Sequence, residues 1–251
     1  MTDISWLSAR PIAHRGLHDD KAGRIENTLS AFDAAARAGF AMEMDVHLSA
    51  DGVVYVFHDD HLDRLTAGRG PVAGRTMAEL RAIPMIGTDD RIPTLRQVLD
   101  LVAGRTGLVV EIKSYFAERQ RDLVAATARE LAGYGGPVVV ESFDPRQIQD
   151  LAEIAPDLPR GIVADDAASA EDYNHYRFVD RDELAGLGHR DWSKFQFVSY
   201  WVQLLGNDVS RRVRDDWHLP LTAWTVRTPE DRRAAQDFGA GPVFEGFDPD
   251  A

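Results

Sequence analysis

Residues 40–58 read FAMEMDVHLSADGVVYVFH and contain two apolar runs typical of strands, Phe40–Val46 and Val53–His58. Similar runs recur at Pro11–His14, Leu108–Ile112, Pro137–Glu141, Gly161–Ala164, Phe195–Ser199 and Leu219–Val226. Helix-like stretches lie between most of them, at Glu26–Ala38, Thr94–Ala103, Phe116–Ala132, Pro145–Ala155, Leu205–Asp216 and Thr228–Phe238. Strands that alternate with helices indicate a parallel sheet. About eight such strands in about 250 residues favour a (β/α)8 barrel, the TIM barrel fold.

Two segments depart from a regular barrel pattern. Only the seven residues Val46–Gly52 join the second and third runs, whereas a parallel crossover normally takes about a dozen residues or more. We therefore expect no helix between strands 2 and 3. The run Val243–Phe247 would be a ninth strand, which either closes the barrel while an earlier run lies outside or forms a terminal tail. A doubly wound sheet is the alternative fold, but no glycine-rich dinucleotide turn is present.

Composition limits the possible partners. The chain has 251 residues with a formal net charge of −13, which argues against nucleic acid as a general partner. It has no cysteine, so neither disulfide nor thiolate chemistry is available. No signal peptide and no membrane-length apolar run are visible. We expect one domain, residues 1–251, that is soluble and cytoplasmic, without a stable membrane anchor. The oligomeric state stays open.

Polar side chains are concentrated where the predicted strands end. Glu43 and Asp45 share one face of their strand, because side chains alternate along a strand, and Glu111 and Lys113 share a face of another. In barrel enzymes the chemistry lies at these carboxyl ends. Three carboxylates without a thiolate favour Mg²⁺ or Ca²⁺ over Zn²⁺. In an otherwise apolar run, a cation is the simplest compensation for the buried charges of Glu43 and Asp45.

A second group of residues suits a phosphate ester. His14 and Arg15 precede Gly16 at the end of the first strand, and His58 ends the third. Histidine exchanges a proton near neutral pH, and arginine forks onto phosphate oxygens. With a divalent cation, Arg15 and Lys113, the three carboxylates leave one net positive charge, which matches a phosphodiester monoanion. Two histidines then permit one acid and one base.

The short motifs of the chain, taken in order, resemble those of the glycerophosphodiester phosphodiesterase family. They are His14-Arg15-Gly16, Glu26-Asn27-Thr28, Glu43-x-Asp45, Asp51-Gly52, His58-Asp59, Ile92-Pro93-Thr94-Leu95, Glu111-Ile112-Lys113, Ser142-Phe143 and Trp224-Thr225-Val226. Each motif is weak by itself, but their order and spacing extend from residue 11 to about residue 226. Two segments differ from the family pattern. Ile25 stands where the family usually has proline, and residues 244–249 replace a Thr-Asp-x-Pro-like ending.

The resemblance implies a barrel that holds a divalent metal ion through Glu43, Asp45 and Glu111. It also implies that His14 and His58 are catalytic. The expected reaction is hydrolysis of a small-molecule glycerophosphodiester to glycerol 3-phosphate and an alcohol, a step of lipid metabolism. A lysophospholipase D-like phosphodiesterase and a catalytically silent barrel that binds phosphate ligands are the alternatives.

The resemblance further implies that Arg15 and Lys113 contact phosphate or substrate. Lys113 has a second interpretation, as a structural partner of Glu111. Trp224 is interpreted either as a wall of the substrate site or as part of the core. The alcohol of the substrate, the identity of the metal and the assignment of acid and base are left open by the sequence.

Overall fold

The computed structural model describes residues 3–114, 116–168 and 180–250. Its strands are β1 Ile12–Ala13, β2 Ala41–Leu48, β3 Val54–Val56, β4 Leu108–Ile112, β5 Val138–Ser142, β6 Arg160–Ala164, β7 Phe197–Trp201, β8 Leu221–Val226 and β9 Gly241–Phe244. Its α-helices are α1 Leu29–Ala38, α2 Met77–Ala82, α3 Leu95–Val102, α4 Arg121–Leu131, α5 Pro145–Ile154, α6 Arg181–Ala185, α7 Arg190–Ser193, α8 Asp208–Arg211 and α9 Pro229–Phe238. In this part of the chain, no helix is both long and apolar enough to cross a membrane.

The strands follow one another in the order β1-β9-β8-β7-β6-β5-β4-β2-β3, and β1 also pairs with β2. The additional pairing closes eight parallel strands into a TIM barrel, as the sequence predicts. The polar residues considered below as the candidate site, Trp224 excepted, belong to one compact unit, which comprises Ala13–Lys113 and Asp122–Val138. Trp224 belongs to the other unit. A single domain over residues 1–251 stays a prediction.

The third predicted strand is not a barrel strand. No helix lies between β2 and β3, as expected, but β3 runs antiparallel to β2, with Val46 opposite Val56 and Leu48 opposite Val54. Gly52, at φ 79°, reverses the chain within a turn in which its N–H donates to the Ser49 carbonyl at 2.9 Å. Because the chain reverses here, no crossover connection is needed. The expectation of a parallel third strand was therefore wrong.

The ninth run closes the barrel. β9 pairs in parallel with β8, with Thr222 opposite Gly241 and Val226 opposite Phe244, and it neighbours β1 in the sheet. Of the two alternatives for this segment, the first is therefore confirmed, and the run that lies outside the barrel is β3.

The chain between β3 and α3 packs into a small core, to which β3 and the segment before α1 also contribute. Tyr55, Phe57 and Leu62 are buried together with Leu80 and Ile92, and the other buried members of the cluster are Ile25, Val72, Met77 and Met85. Buried apolar side chains hold a long loop in one conformation, since exposing them to water is unfavourable. This segment, residues 57–91, therefore supplies a fixed support for the polar residues that it carries.

Local signals explain where the helix before β2 begins. The Thr28 side chain accepts from the Ala31 N–H and caps α1, and Gly39 ends the helix at φ 72°. The helix thus starts at Leu29 rather than at Glu26, which the sequence pattern had suggested. Glu26 and Asn27 are left outside the helix, where their side chains are available to other groups.

Candidate active site

Three carboxylates come together on β2 and β4. Alternation along β2 gives Glu43 and Asp45 one orientation, and the parallel register places Asp45 opposite Glu111. All three side chains are buried, and one oxygen of each lies within 4.8 Å of the others. The grouping predicted from the sequence is therefore present in the structure. Its donor set is entirely oxygen, the type that hard divalent cations prefer.

The turn after β1 brings Arg15 against these carboxylates. The Arg15 N–H donates to Glu43 Oε2 at 2.9 Å, and Arg15 Nε lies 3.5 Å from Asp45 Oδ2. Its neighbour His14 places Nε2 3.8 Å from Glu43 Oε2. Gly16, at φ 80°, completes the turn, and a Cβ there would lie 3.0 Å from Ala31 on α1. A side chain at this position would push the turn away from the helix.

Lys113 bridges two of the carboxylates. Its Nζ lies 2.9 Å from Glu111 Oε1 and 3.3 Å from Asp45 Oδ1. Burial opposes the charge on Lys113, but the two carboxylates outweigh this effect and raise its pKa. Burial likewise opposes ionisation of Asp45, yet Lys113, His58 and Arg15 hold its pKa well below the usual range. Lys113 and Asp45 are therefore both charged at neutral pH.

His58 follows β3, and β3 pairs with β2, the strand that carries Glu43 and Asp45. The Phe57 N–H donates to the Asp45 carbonyl at 3.0 Å, which anchors the residue just before His58. His58 Nδ1 lies 2.8 Å from Asp59 Oδ1. Burial opposes ionisation of Asp59, but its hydrogen bonds with His58 and Arg64 lower its pKa. As an ionised carboxylate only accepts, His58 Nδ1 carries the proton that is shared with Asp59.

Two supporting residues of the site were not identified from the sequence. Asn27 is buried at φ 57°, donates from Nδ2 to Asp45 Oδ2 at 2.8 Å and accepts from the Asp45 N–H at 3.3 Å. His47 is buried on β2 and donates from Nε2 to the His58 carbonyl at 3.3 Å. Burial lowers the pKa of His47 to about 4, so this ring is neutral at pH 7. The Glu26-Asn27-Thr28 motif was a usable signal for Asn27, whereas His47 offered no signal beyond its place on the strand.

Trp224 belongs to β8, in the second compact unit. Its Nε1 donates to the Ser199 carbonyl at 3.0 Å. Its ring packs edge-on against the Phe143 ring, with 5.3 Å between the ring centroids. These contacts agree with the interpretation of Trp224 as a packed side chain, and its role in substrate binding stays a prediction. Residues 244–249, which differ from the family pattern, begin at the end of β9 in the same unit. There, Arg227 Nε donates to Glu245 Oε1 at 2.8 Å.

Comparisons with known proteins show which sequences this chain resembles. The model of the glycerophosphoryl diester phosphodiesterase family matches residues 14–246. The Bacillus subtilis protein YhdW is 32% identical over 94% of this chain and 93% of its own length. A second Bacillus subtilis relative, named glycerophosphodiester phosphodiesterase, is 27% identical over 94% of this chain and 83% of its own length.

Solved structures share the fold. A phosphodiesterase from Oleispira antarctica, in complex with the product sn-glycerol-3-phosphate, superposes with a TM-score of 0.76 and 23% identity. The superposition covers 95% of this chain and 93% of that structure. At this level of identity, the likeness supports the TIM barrel architecture.

Proposed function

The chain belongs to the glycerophosphoryl diester phosphodiesterase family, and from that premise we propose that it hydrolyses glycerophosphodiesters to glycerol 3-phosphate and an alcohol. One observation carries the proposal: three buried carboxylates, two of them bridged by Lys113, lie beside Arg15 and His14 at the carboxyl ends of barrel strands. Chemistry in TIM barrels is located at these ends. The substrate is a small molecule, and we propose that the protein acts in lipid metabolism in the cytoplasm.

We propose that Glu43, Asp45 and Glu111 hold one divalent cation, Mg²⁺ or Ca²⁺. The donor set fits, because its oxygens lie within 4.8 Å of one another and both ions prefer carboxylate ligands. When bound, the cation would stabilise the negative charge that develops on the phosphoryl oxygens. Lys113 already compensates part of the carboxylate charge, which lets the protein keep the three ligands together.

His14 and His58 are proposed to transfer the protons. Asp59 fixes the proton of His58 on Nδ1, which leaves Nε2 as the atom that exchanges a proton with the substrate. His14 presents Nε2 at 3.8 Å from Glu43 Oε2, beside the proposed ligands of the cation. Either assignment of acid and base is compatible with this geometry. A substrate with an activated leaving group decides between them, since it no longer requires the acid.

Arg15 and Lys113 are proposed to bind the phosphoryl group. Both are cations next to the carboxylate cluster, and neither releases a proton readily at neutral pH because their pKa values are raised. For Arg15, burial opposes the charge, while Asp45, Glu26 and Glu43 stabilise it. Fixed positive charge in a partly dry site stabilises anionic oxygens without proton transfer. Arg15 and Lys113 thus stabilise charge, whereas His14 and His58 transfer protons.

The test is turnover of glycerophosphocholine, lysophosphatidylcholine and bis(p-nitrophenyl) phosphate, each with and without a chelator. We expect glycerophosphocholine to be cleaved, activity to disappear after chelation, and Mg²⁺ or Ca²⁺ to restore it. Preference for the lysolipid would instead favour the lysophospholipase D-like alternative. Binding of glycerol 3-phosphate without turnover of any diester would indicate a silent phosphate-binding barrel. The variant Glu43→Gln, which lacks one proposed ligand, tests the metal requirement without a chelator.

A further inference from the structure

Arg64, which is not part of the family motifs above, lies at the centre of a chain of polar contacts between residues of those motifs. It is carried by the segment that follows β3, between the buried Leu62 and the buried Thr66. Thr66 donates from both N–H and Oγ1 to the Leu62 carbonyl, at 3.1 Å and 2.8 Å. This closed turn holds the backbone around Arg64 in place. The guanidinium is thus presented from a fixed support.

One edge of the guanidinium holds Asp59. Arg64 Nε donates to Asp59 Oδ2 at 2.7 Å, and Nη2 donates to Oδ1 at 2.8 Å. Oδ1 is also the oxygen that accepts from His58 Nδ1. The two-point contact fixes the plane of the carboxylate and therefore the direction from which it accepts the imidazole proton. The carboxylate that accepts from His58 is therefore the one that the Arg64 fork holds.

A second edge holds Glu26. Arg64 Nη1 donates to Glu26 Oε2 and Nη2 donates to Oε1, both at 2.8 Å. Glu26 Oε1 also accepts from Arg15 Nη1 at 2.7 Å. The polar chain therefore reaches from His58 through Asp59, Arg64 and Glu26 to Arg15. One planar group joins the proton-transferring side of the site to its phosphate-binding side.

The charges along this chain alternate. Burial opposes ionisation of Glu26, but hydrogen bonds from Arg64 and Arg15 lower its pKa. The hydrogen bonds that Arg64 donates to the two carboxylates in turn raise its own pKa. Loss of the guanidinium would leave Glu26 and Asp59 without their common donor. Lysine would keep the charge but has no planar fork with which to hold both carboxylates.

We propose that Arg64 is a positioning residue that couples His58 to Arg15 by holding Asp59 and Glu26 with a single guanidinium. The inference rests on the proposed function for its kinetic consequences, whereas the orientation of His58 is measurable without turnover. A partly exposed ion pair contributes little to folding. The chief effect of the contact is therefore on the geometry of the two functional side chains.

The first test compares Arg64→Gln and Arg64→Lys with Arg69→Gln. Arg69 lies in the same segment, is 72% exposed, and donates to the carbonyls of Asp63 and Gly68. Both Arg64 variants should lose about 10- to 100-fold in kcat/KM on glycerophosphocholine, because small displacements of reacting groups are costly. The Arg69 variant should stay within twofold of the parent protein. Circular dichroism in the near ultraviolet checks that each variant is folded.

The second test uses nitrogen NMR of the histidine rings in the protein without substrate, with the His58 signals assigned from a His58→Ala sample. We expect His58 Nδ1 to be the protonated nitrogen in the parent protein and in Arg69→Gln. In both Arg64 variants, this preference should weaken and the Nδ1 signal should move. If the parent protein cleaves no diester, the proposed function fails, while this measurement still decides whether Arg64 orients His58.

A double-mutant cycle tests whether the guanidinium is the link. Glu26→Gln and Asp59→Asn change the two carboxylates that Arg64 holds, so their effects on kcat/KM should be non-additive by about threefold or more when Arg64 is present. In the Arg64→Gln background the two effects should multiply. Additive effects in the parent protein would overturn the proposal. Unchanged His58 signals in Arg64→Gln, or full activity in Arg64→Lys, would also overturn it.

Discussion

Replacement of Lys113 by methionine separates the charge of this residue from its volume. In the parent protein, Nζ lies 2.9 Å from Glu111 and 3.3 Å from Asp45, and the side chains of Lys113 and Asp45 are only 17% and 1% exposed. Methionine fills much of the same space without a charge. Lys113→Met therefore leaves two buried carboxylates without the cation that bridges them. Arg15 remains 3.5 Å from Asp45 and compensates part of this loss.

The expected cost follows from these contacts. Removing one partner of a buried ion pair destabilises a protein by about 3–5 kcal/mol. As Arg15 remains beside Asp45, we expect the lower end, about 3 kcal/mol. For a chain of this size, that corresponds to a decrease in Tm of about 6–12 °C. A divalent cation binds to the same carboxylates in our proposal, so its addition should restore more stability to Lys113→Met than to the parent protein.

The assay is thermal unfolding of the parent protein, Lys113→Met and Lys21→Met, each in chelator and in excess Mg²⁺ or Ca²⁺. Lys21 is exposed, so its variant reports the effect of losing one surface charge. We expect Lys113→Met alone to show a large loss in chelator and the largest gain with the cation. Equal Tm values in chelator, or equal gains on addition of the cation, would refute the assignment of Lys113 to the carboxylate cluster.

Four further outcomes are expected. Glu43→Gln should weaken binding of Mg²⁺ or Ca²⁺ in calorimetry, because one anionic ligand is lost, and unchanged affinity would contradict the ligand set. His14→Ala and His58→Ala should each lower turnover of glycerophosphocholine by about 10² to 10⁴, and the variant rescued by a nitrophenyl leaving group identifies the acid. Arg15→Lys should lower kcat/KM although the charge is kept, whereas an unchanged value would exclude a forked contact with phosphate. Burial lowers the pKa of His189 to about 4, so the unfolded chain takes up a proton first as pH falls. The decrease in unfolding free energy from pH 7 to pH 5 should be about 2 kcal/mol smaller in His189→Gln, as measured by urea titration.

The sequence by itself determined the barrel and the grouping of the three central carboxylates. Alternation along a strand is a property of the extended backbone, so Glu43 and Asp45 share a face wherever β2 is placed. The position of Glu111 and Lys113 at the end of another strand put them at the same edge of a parallel sheet. The stretch Thr228–Phe238 was also predicted as helical, and Thr228 and Gly239 cap the ends of that helix through contacts within one turn.

Only the tertiary structure decided the direction of β3 and the surroundings of the two histidines. Val53–His58 has the composition of a barrel strand. Its antiparallel pairing with β2 depends on the turn at Gly52 and on the presence of β9 between β8 and β1 as the eighth barrel strand. Arg64 lies far along the chain from Glu26, and no local pattern relates them. Long-range hydrogen bonds form only after a buried core, such as the one under residues 57–91, has brought the segments together. Local periodicity therefore predicts which side chains share a face, whereas contacts between distant segments depend on packing that only the folded chain contains.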